Sequence, residues 1–162
     1  MSSYIFRQNL ESVAGHCVIT TDVTNVLRQI ITDLGAQRIA VSDAPELQGL
    51  GVIPSASEIF NFDVGITSAQ AGIAETGTLV LDSSCERNRL VSVVPPVHIA
   101  ILPASRIYAT LNEVLAMLQS GKDLSPAITF ITGPSRTADI ELTLTVGVHG
   151  PRELYVIIDE SN

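Results

Sequence analysis

Residues 98–132, HIAILPASRIYATLNEVLAMLQSGKDLSPAITFIT, read as strand, helix, strand, and this order sets the fold class. HIAILP (98–103) is a short apolar run bounded by prolines, the pattern of a strand buried on both faces. Residues 111–120 carry Leu111, Val114, Leu115 and Leu118 at helical spacing. Thr110 and Glu113 form a capping box at the start of this helix, and Gly121 ends it. Residues 127–132 return as a strand.

The flanking sequence repeats the alternation. Over 22–34, Val23, Val26, Leu27, Ile30, Ile31 and Leu34 fall on one helical face, with Thr21 or Asp22 as cap and Gly35 as stop. Strands are expected at 38–42, 61–67, 77–82 and 154–158. Between two of them, SAQAGIAET (68–76) is either a tight connection or a further short strand. Residues 86–94 suit a short helix stopped by Pro95 and Pro96. In 139–146, Ile140, Leu142, Leu144 and Val146 alternate with period two, as in a strand. However, Pro134 and Ser135 offer a helix start, and strands at 127–132 and 154–158 call for a crossover helix between them. A helix is therefore expected there. The sum is an α/β fold, a mostly parallel sheet with helices on both faces, in a single domain spanning 1–162.

Composition limits the functional classes. Apolar residues make up 46% of the 162 and charged residues 16%, enough to bury a substantial core. A net charge of −8 disfavours nucleic acid and anionic membranes, and few aromatics leave little to stack on bases. No run of residues resembles a signal peptide or membrane span, so a cytoplasmic protein is expected. The two cysteines, Cys17 and Cys85, allow one disulfide but cannot supply the four thiolates of an iron–sulfur cluster. The basic residues are eight Arg and one Lys, a bias that suits bidentate binding of carboxylate or phosphate and equally suits surface ion pairs.

Candidate chemistry concentrates in two segments. In GPSRTADIE (133–141), a helix starting at Ser135, Arg136 and Thr137 would present free amides and Arg136 to an anion at the carboxyl end of a strand. Ordinary capping, with Arg136 pairing Asp139 or Glu141, explains the same residues. In AGIAETGTLVL (71–81), Glu75 beside Thr76 and Thr78 could act as base or nucleophile, or simply stay solvated beside a turn at Gly77. Arg87 and Arg89 lie two apart and would point to different faces of a helix. His98 and His149 fit no metal-binding pattern and read as structural or site-lining groups.

Two long stretches, AGIAETGTLVLDSSCERNRLVSVVPPVHIAILPASRI and ITFITGPSRTADIELTLTVGVHGPRELYVIIDE, closely resemble the LUD-domain family of lactate-utilisation protein C (LutC/YkgG). The likeness runs through about 61–160, and the expectation from it is that an N-terminal helical extension of the family is missing or reduced in this sequence. The resemblance implies a fold like the sugar-phosphate isomerase and CoA-transferase (NagB/RpiA/CoA transferase-like) group. It also implies a role in oxidising L-lactate to pyruvate beside two cysteine-rich iron–sulfur partner proteins, which would hold the clusters. No cofactor is expected in this chain itself. The resemblance adds weight to Glu75, Thr76, Gly77, Arg87, Arg106, Ser135, Arg136, Thr137 and Asp139 as site-lining positions. Two other functions fit: an independent isomerase- or transferase-like enzyme, or a sensor, acting on a small carboxylate or phosphate.

Overall fold

The structure is a computed structural model that describes residues 1–84, 89–120, 125–138, 144–146 and 149–161. In chain order the elements are α1 (Ser2–Ser12), β1 (His16–Thr20), α2 (Val23–Asp33), β2 (Ile39–Val41), β3 (Val64–Ser68), β4 (Ala71–Ile73), β5 (Thr78–Asp82), β6 (Val97–Pro103) and β7 (Ile107–Tyr108). These are followed by α3 (Leu111–Gln119), β8 (Ile128–Ile131), β9 (Arg136–Ala138), β10 (Leu144–Val146) and β11 (Glu153–Asp159).

Both expected helix starts are present. Asp22 caps α2 by accepting the Asn25 N–H at 3.0 Å. Thr110 Oγ1 accepts the Glu113 N–H at 3.3 Å, while the Glu113 carboxylate takes the Ala109 N–H at 2.8 Å, one residue outside the usual capping box. Gly35 adopts φ +63° just beyond α2, the left-handed conformation that ends many helices.

Five strands form an all-parallel sheet in the order β1-β11-β6-β3-β2. Alternate residues of each strand face opposite sides. Val97, Ile99, Ile101, Val64, Ile66 and Ile157 pack under α2 through Leu27. On the other side, Ala100, Leu102, Leu154, Val156 and Ile158 pack against Phe6 and Leu10 of α1 and against Leu79 and Leu81 of β5. Helices therefore lie on both faces, but on one face a second sheet shares the work.

That second sheet has the order β7-β4-β5-β8. It grows directly out of the first. β3 runs on through Ala69 and Gln70 into β4, and β6 runs on through one 3-10 turn (Ala104–Arg106) into β7. The pairs stay together: β3 is parallel to β6, and β4 is parallel to β7. Two neighbouring strands thus leave one sheet and enter the next side by side, turning a corner as strands do between packed sheets.

Helix α1 and strand β1 are not anticipated by the sequence pattern. The helix buries Phe6 and Leu10 completely, about 1.5–3 kcal/mol of apolar burial for each. Its backbone is held close by Gly77, which has φ +64°; a Cβ there would lie 2.3 Å from Leu10 N. Only glycine accepts both the conformation and the contact.

The helix expected over 139–146 is corrected. Arg136–Ala138 and Leu144–Val146 form an antiparallel pair, with Ala138 opposite Leu144 and Arg136 opposite Val146. The period-two alternation was the physical signal. The demand for a crossover helix lapses because β8 and β11 belong to different sheets. Residues 139–143 lie outside the described residues. In the 86–94 segment a 3-10 helix covers Arg89–Ser92, and 85–88 lie outside the described residues, as does Gly121. Cys17 is a free, buried thiol, and Cys85 lies outside the described residues. No described helix is long and apolar enough to cross a membrane.

Candidate functional site

A cavity of about 320 Å³ opens where the turn after β8 meets the amino ends of β6 and β11. His98, Thr129, Thr132, Ser135, Arg136 and His149 give it a polar wall, and Val93, Phe130, Pro151 and Leu154 an apolar one. Its position corrects the expected one. The 133–136 turn does follow the end of β8, but it faces the beginnings of the parallel strands rather than their carboxyl ends.

The turn is fixed from two sides. Arg136 Nη2 donates to Val13 O at 3.0 Å, just before β1. The Ser135 N–H donates to Pro151 O at 2.8 Å, just before β11. The second bond has a chemical consequence: the amide that a helix start would have offered to an anion is already used. The charged donor left in this cavity is the Arg136 side chain, which keeps N–H groups to spare beyond the one bound to Val13.

His98 is the residue that the register places deepest. It follows Val97 in β6, and alternation turns it to the α1 face of the sheet. Thr67 of the adjacent strand β3 turns to the same face, and its Oγ1 lies 2.7 Å from His98 Nε2. Both are buried, Thr67 at 0% and His98 at 1% exposure. Burial pushes the imidazole down to about 4, so it is neutral at ordinary pH. Its other nitrogen, Nδ1, is buried without a hydrogen-bond partner. Such an unsatisfied group costs about 1–3 kcal/mol unless something binds it.

The remaining predicted positions fall into four groups. Ser135 and Arg136 meet at the cavity, and Thr137 follows them in β9. Thr76 reaches the same region indirectly: its Oγ1 lies 2.7 Å from Thr78 Oγ1, which lies 2.7 Å from Thr132 Oγ1 at the cavity wall. Glu75, Gly77 and Arg106 are not among the residues lining it. Glu75 Oε1 accepts the Leu111 N–H at 2.8 Å, a bond to the first residue of α3. Gly77 seats α1, and Arg106 is exposed in a 3-10 turn. Arg87 and Asp139 lie outside the described residues.

Sequence reasoning noted His98 and His149 as site-lining but gave them no role, and it missed Thr67, Thr129 and Thr132. A histidine inside an otherwise apolar strand was the available signal for His98. No spacing rule would have paired it with Thr67, because that pairing depends on the strand register. Among the described residues no group of three His, Cys, Asp or Glu side chains is placed to hold a metal ion.

An α/β protein with a parallel sheet, a second sheet continuous with it and a polar cavity between the two at the amino ends of β6 and β11 is thus the class of protein defined. The chain belongs to the LUD-domain family, whose model matches residues 15–158. A lactate utilization protein C of Macrococcus caseolyticus is 30% identical over 96% of this chain and 77% of its own length. A lactate utilization protein C of Halalkalibacterium halodurans is 44% identical over 60% of this chain and 45% of its own. An uncharacterized protein of Neisseria meningitidis is 45% identical over 60% of this chain and 42% of its own. The matched part thus spans under half the length of these last two relatives. The crystal structure of a DUF162 family protein from Deinococcus radiodurans has the same fold, with a TM-score of 0.72 at 21% identity over 98% of this chain and 96% of that one.

Proposed function

We propose that this chain serves lactate utilisation in the cytoplasm, as a subunit of an iron–sulfur assembly that oxidises L-lactate to pyruvate. The redox clusters reside in two cysteine-rich partner proteins. The observation that carries this reading is the 30% identity to a lactate utilization protein C along 96% of the chain. The chemistry of the chain is compatible with a non-redox role. It has two cysteines where a four-iron cluster takes four thiolates, and Cys17 is buried in the sheet. The cavity beside Arg136 gives such a subunit a place for a small acid.

The test is a native pull-down of the chain from lactate-grown cells, with the eluate assayed for iron and lactate-dependent dye reduction. Iron and activity arriving together, with neither shown by the chain alone, are expected. An iron-free chain with unchanged lactate oxidation in cells lacking it would overturn the reading.

A further inference from the structure

We propose that the cavity between the 132–136 turn and the amino ends of β6 and β11 binds a small monocarboxylate bearing an oxygen on its second carbon, a 2-hydroxy or 2-oxo acid, with His98 Nδ1–H as an interior donor. The proposal rests on the lactate-utilisation reading for its biological setting, and on the geometry of the cavity for its chemistry.

The proton on His98 can be placed by counting partners. Thr67 Oγ1 and His98 Nε2 share one hydrogen bond in a dry interior. If Nε2 donated, the Thr67 hydroxyl hydrogen would be left without an acceptor and Nδ1 would be a bare lone pair. If Thr67 donates, its hydrogen is used, Nε2 is satisfied, and the ring proton sits on Nδ1. The second arrangement leaves one buried group unpaired: an N–H on a ring that lines a polar cavity. What it lacks is an oxygen acceptor.

The rest of the lining specifies the acid. In a chain of net charge −8, no acidic side chain is among the described residues lining the cavity, while Arg136 is. A guanidinium matches a carboxylate with two parallel hydrogen bonds. A phosphate dianion would call for further cations or free amides, and the Ser135 amide is committed to Pro151. The Thr129, Thr132 and Ser135 hydroxyls, together with the His98 N–H, suit a second oxygen close to the carboxylate. Val93 and Leu154 suit a short apolar remainder.

The test uses the purified full chain, titrated with L-lactate, pyruvate, propionate and inorganic phosphate, and followed by melting temperature and by the ¹⁵N spectrum of its histidines. Lactate or pyruvate should raise the melting temperature and move the His98 Nδ1–H signal. Propionate, which lacks the second oxygen, should bind about tenfold more weakly. Arg136→Gln should weaken binding with the histidine spectrum of the free protein retained. His98→Phe should abolish the preference for lactate or pyruvate over propionate. A ring proton found on Nε2, no response to any acid, or a response to phosphate alone would each overturn the proposal. Failure here, with iron still recovered in the pull-down, would leave the subunit reading intact. Binding by a chain that recovers no iron would sink the subunit reading and keep the site.

Discussion

Thr67 Oγ1 and His98 Nε2 lie 2.7 Å apart on neighbouring strands, both closed off from solvent, and this pair makes the interior sensitive to acid. The imidazole is held down to about 4 by burial, against a reference value of 6.5. Between these values the unfolded chain takes up a proton that the folded chain refuses, so stability falls as pH falls. The contribution is complete above pH 6.5 and is lost progressively towards pH 4. Urea unfolding should show a loss of roughly 2–3 kcal/mol from this residue on going from neutral pH to pH 4.5. In His98→Gln that part of the slope should disappear. An unchanged slope would mean that the ring is not buried neutral.

Gly77 and Gly35 share nearly the same backbone conformation, φ +64° and +63°, yet differ in their surroundings. A Cβ on Gly77 would press into the backbone of Leu10, whereas one on Gly35 would meet nothing within 4 Å. Gly35→Ala should therefore cost about 1 kcal/mol, the conformational strain alone. Gly77→Ala should cost more than about 3 kcal/mol, because the helix must also move. Equal losses in chemical denaturation would contradict the packing of α1.

Glu75 holds the start of α3 through its bond to the Leu111 N–H. Glu75→Ala should destabilise by about 1 kcal/mol, and Glu75→Gln, which keeps an acceptor oxygen, by only a few tenths. A large loss of turnover in Glu75→Gln with unchanged melting would give the carboxylate a chemical role instead.

Cys17 sits in the sheet with its thiol pushed up to about 12 by burial. It should resist iodoacetamide at pH 8 in the folded protein and react once denatured, as read by peptide mass. Rapid labelling under native conditions would show that β1 opens.

The sequence was most legible where one segment decides its own structure. Asp22 with the apolar stripe after it fixed α2, and Thr110 with Glu113 fixed α3. It was least legible where a segment is decided by distant ones. Helix α1 has a thin stripe, and its place depends on glycine at position 77. The strand character of 144–146 was visible in its alternation, yet was outweighed by a connection rule for two strands that turn out to lie in separate sheets. For the site, Ser135 and Arg136 could be picked out because an arginine after Gly-Pro-Ser is conspicuous. The Thr67–His98 pair depends on register across two strands 31 residues apart in sequence, which no local pattern encodes.

The paired passage of β3 into β4 and β6 into β7 joins the two sheets at one corner. The inner wall of the cavity, where His98 stands, lies at the other, amino end of the same strand β6. Its opposite wall, the turn carrying Ser135 and Arg136, is held at Pro151 and Val13, just before β11 and β1. The cavity thus has one wall in the parallel sheet and the other at β8 and its following turn, so whatever enters would bridge the two sheets at the end away from the corner that joins them.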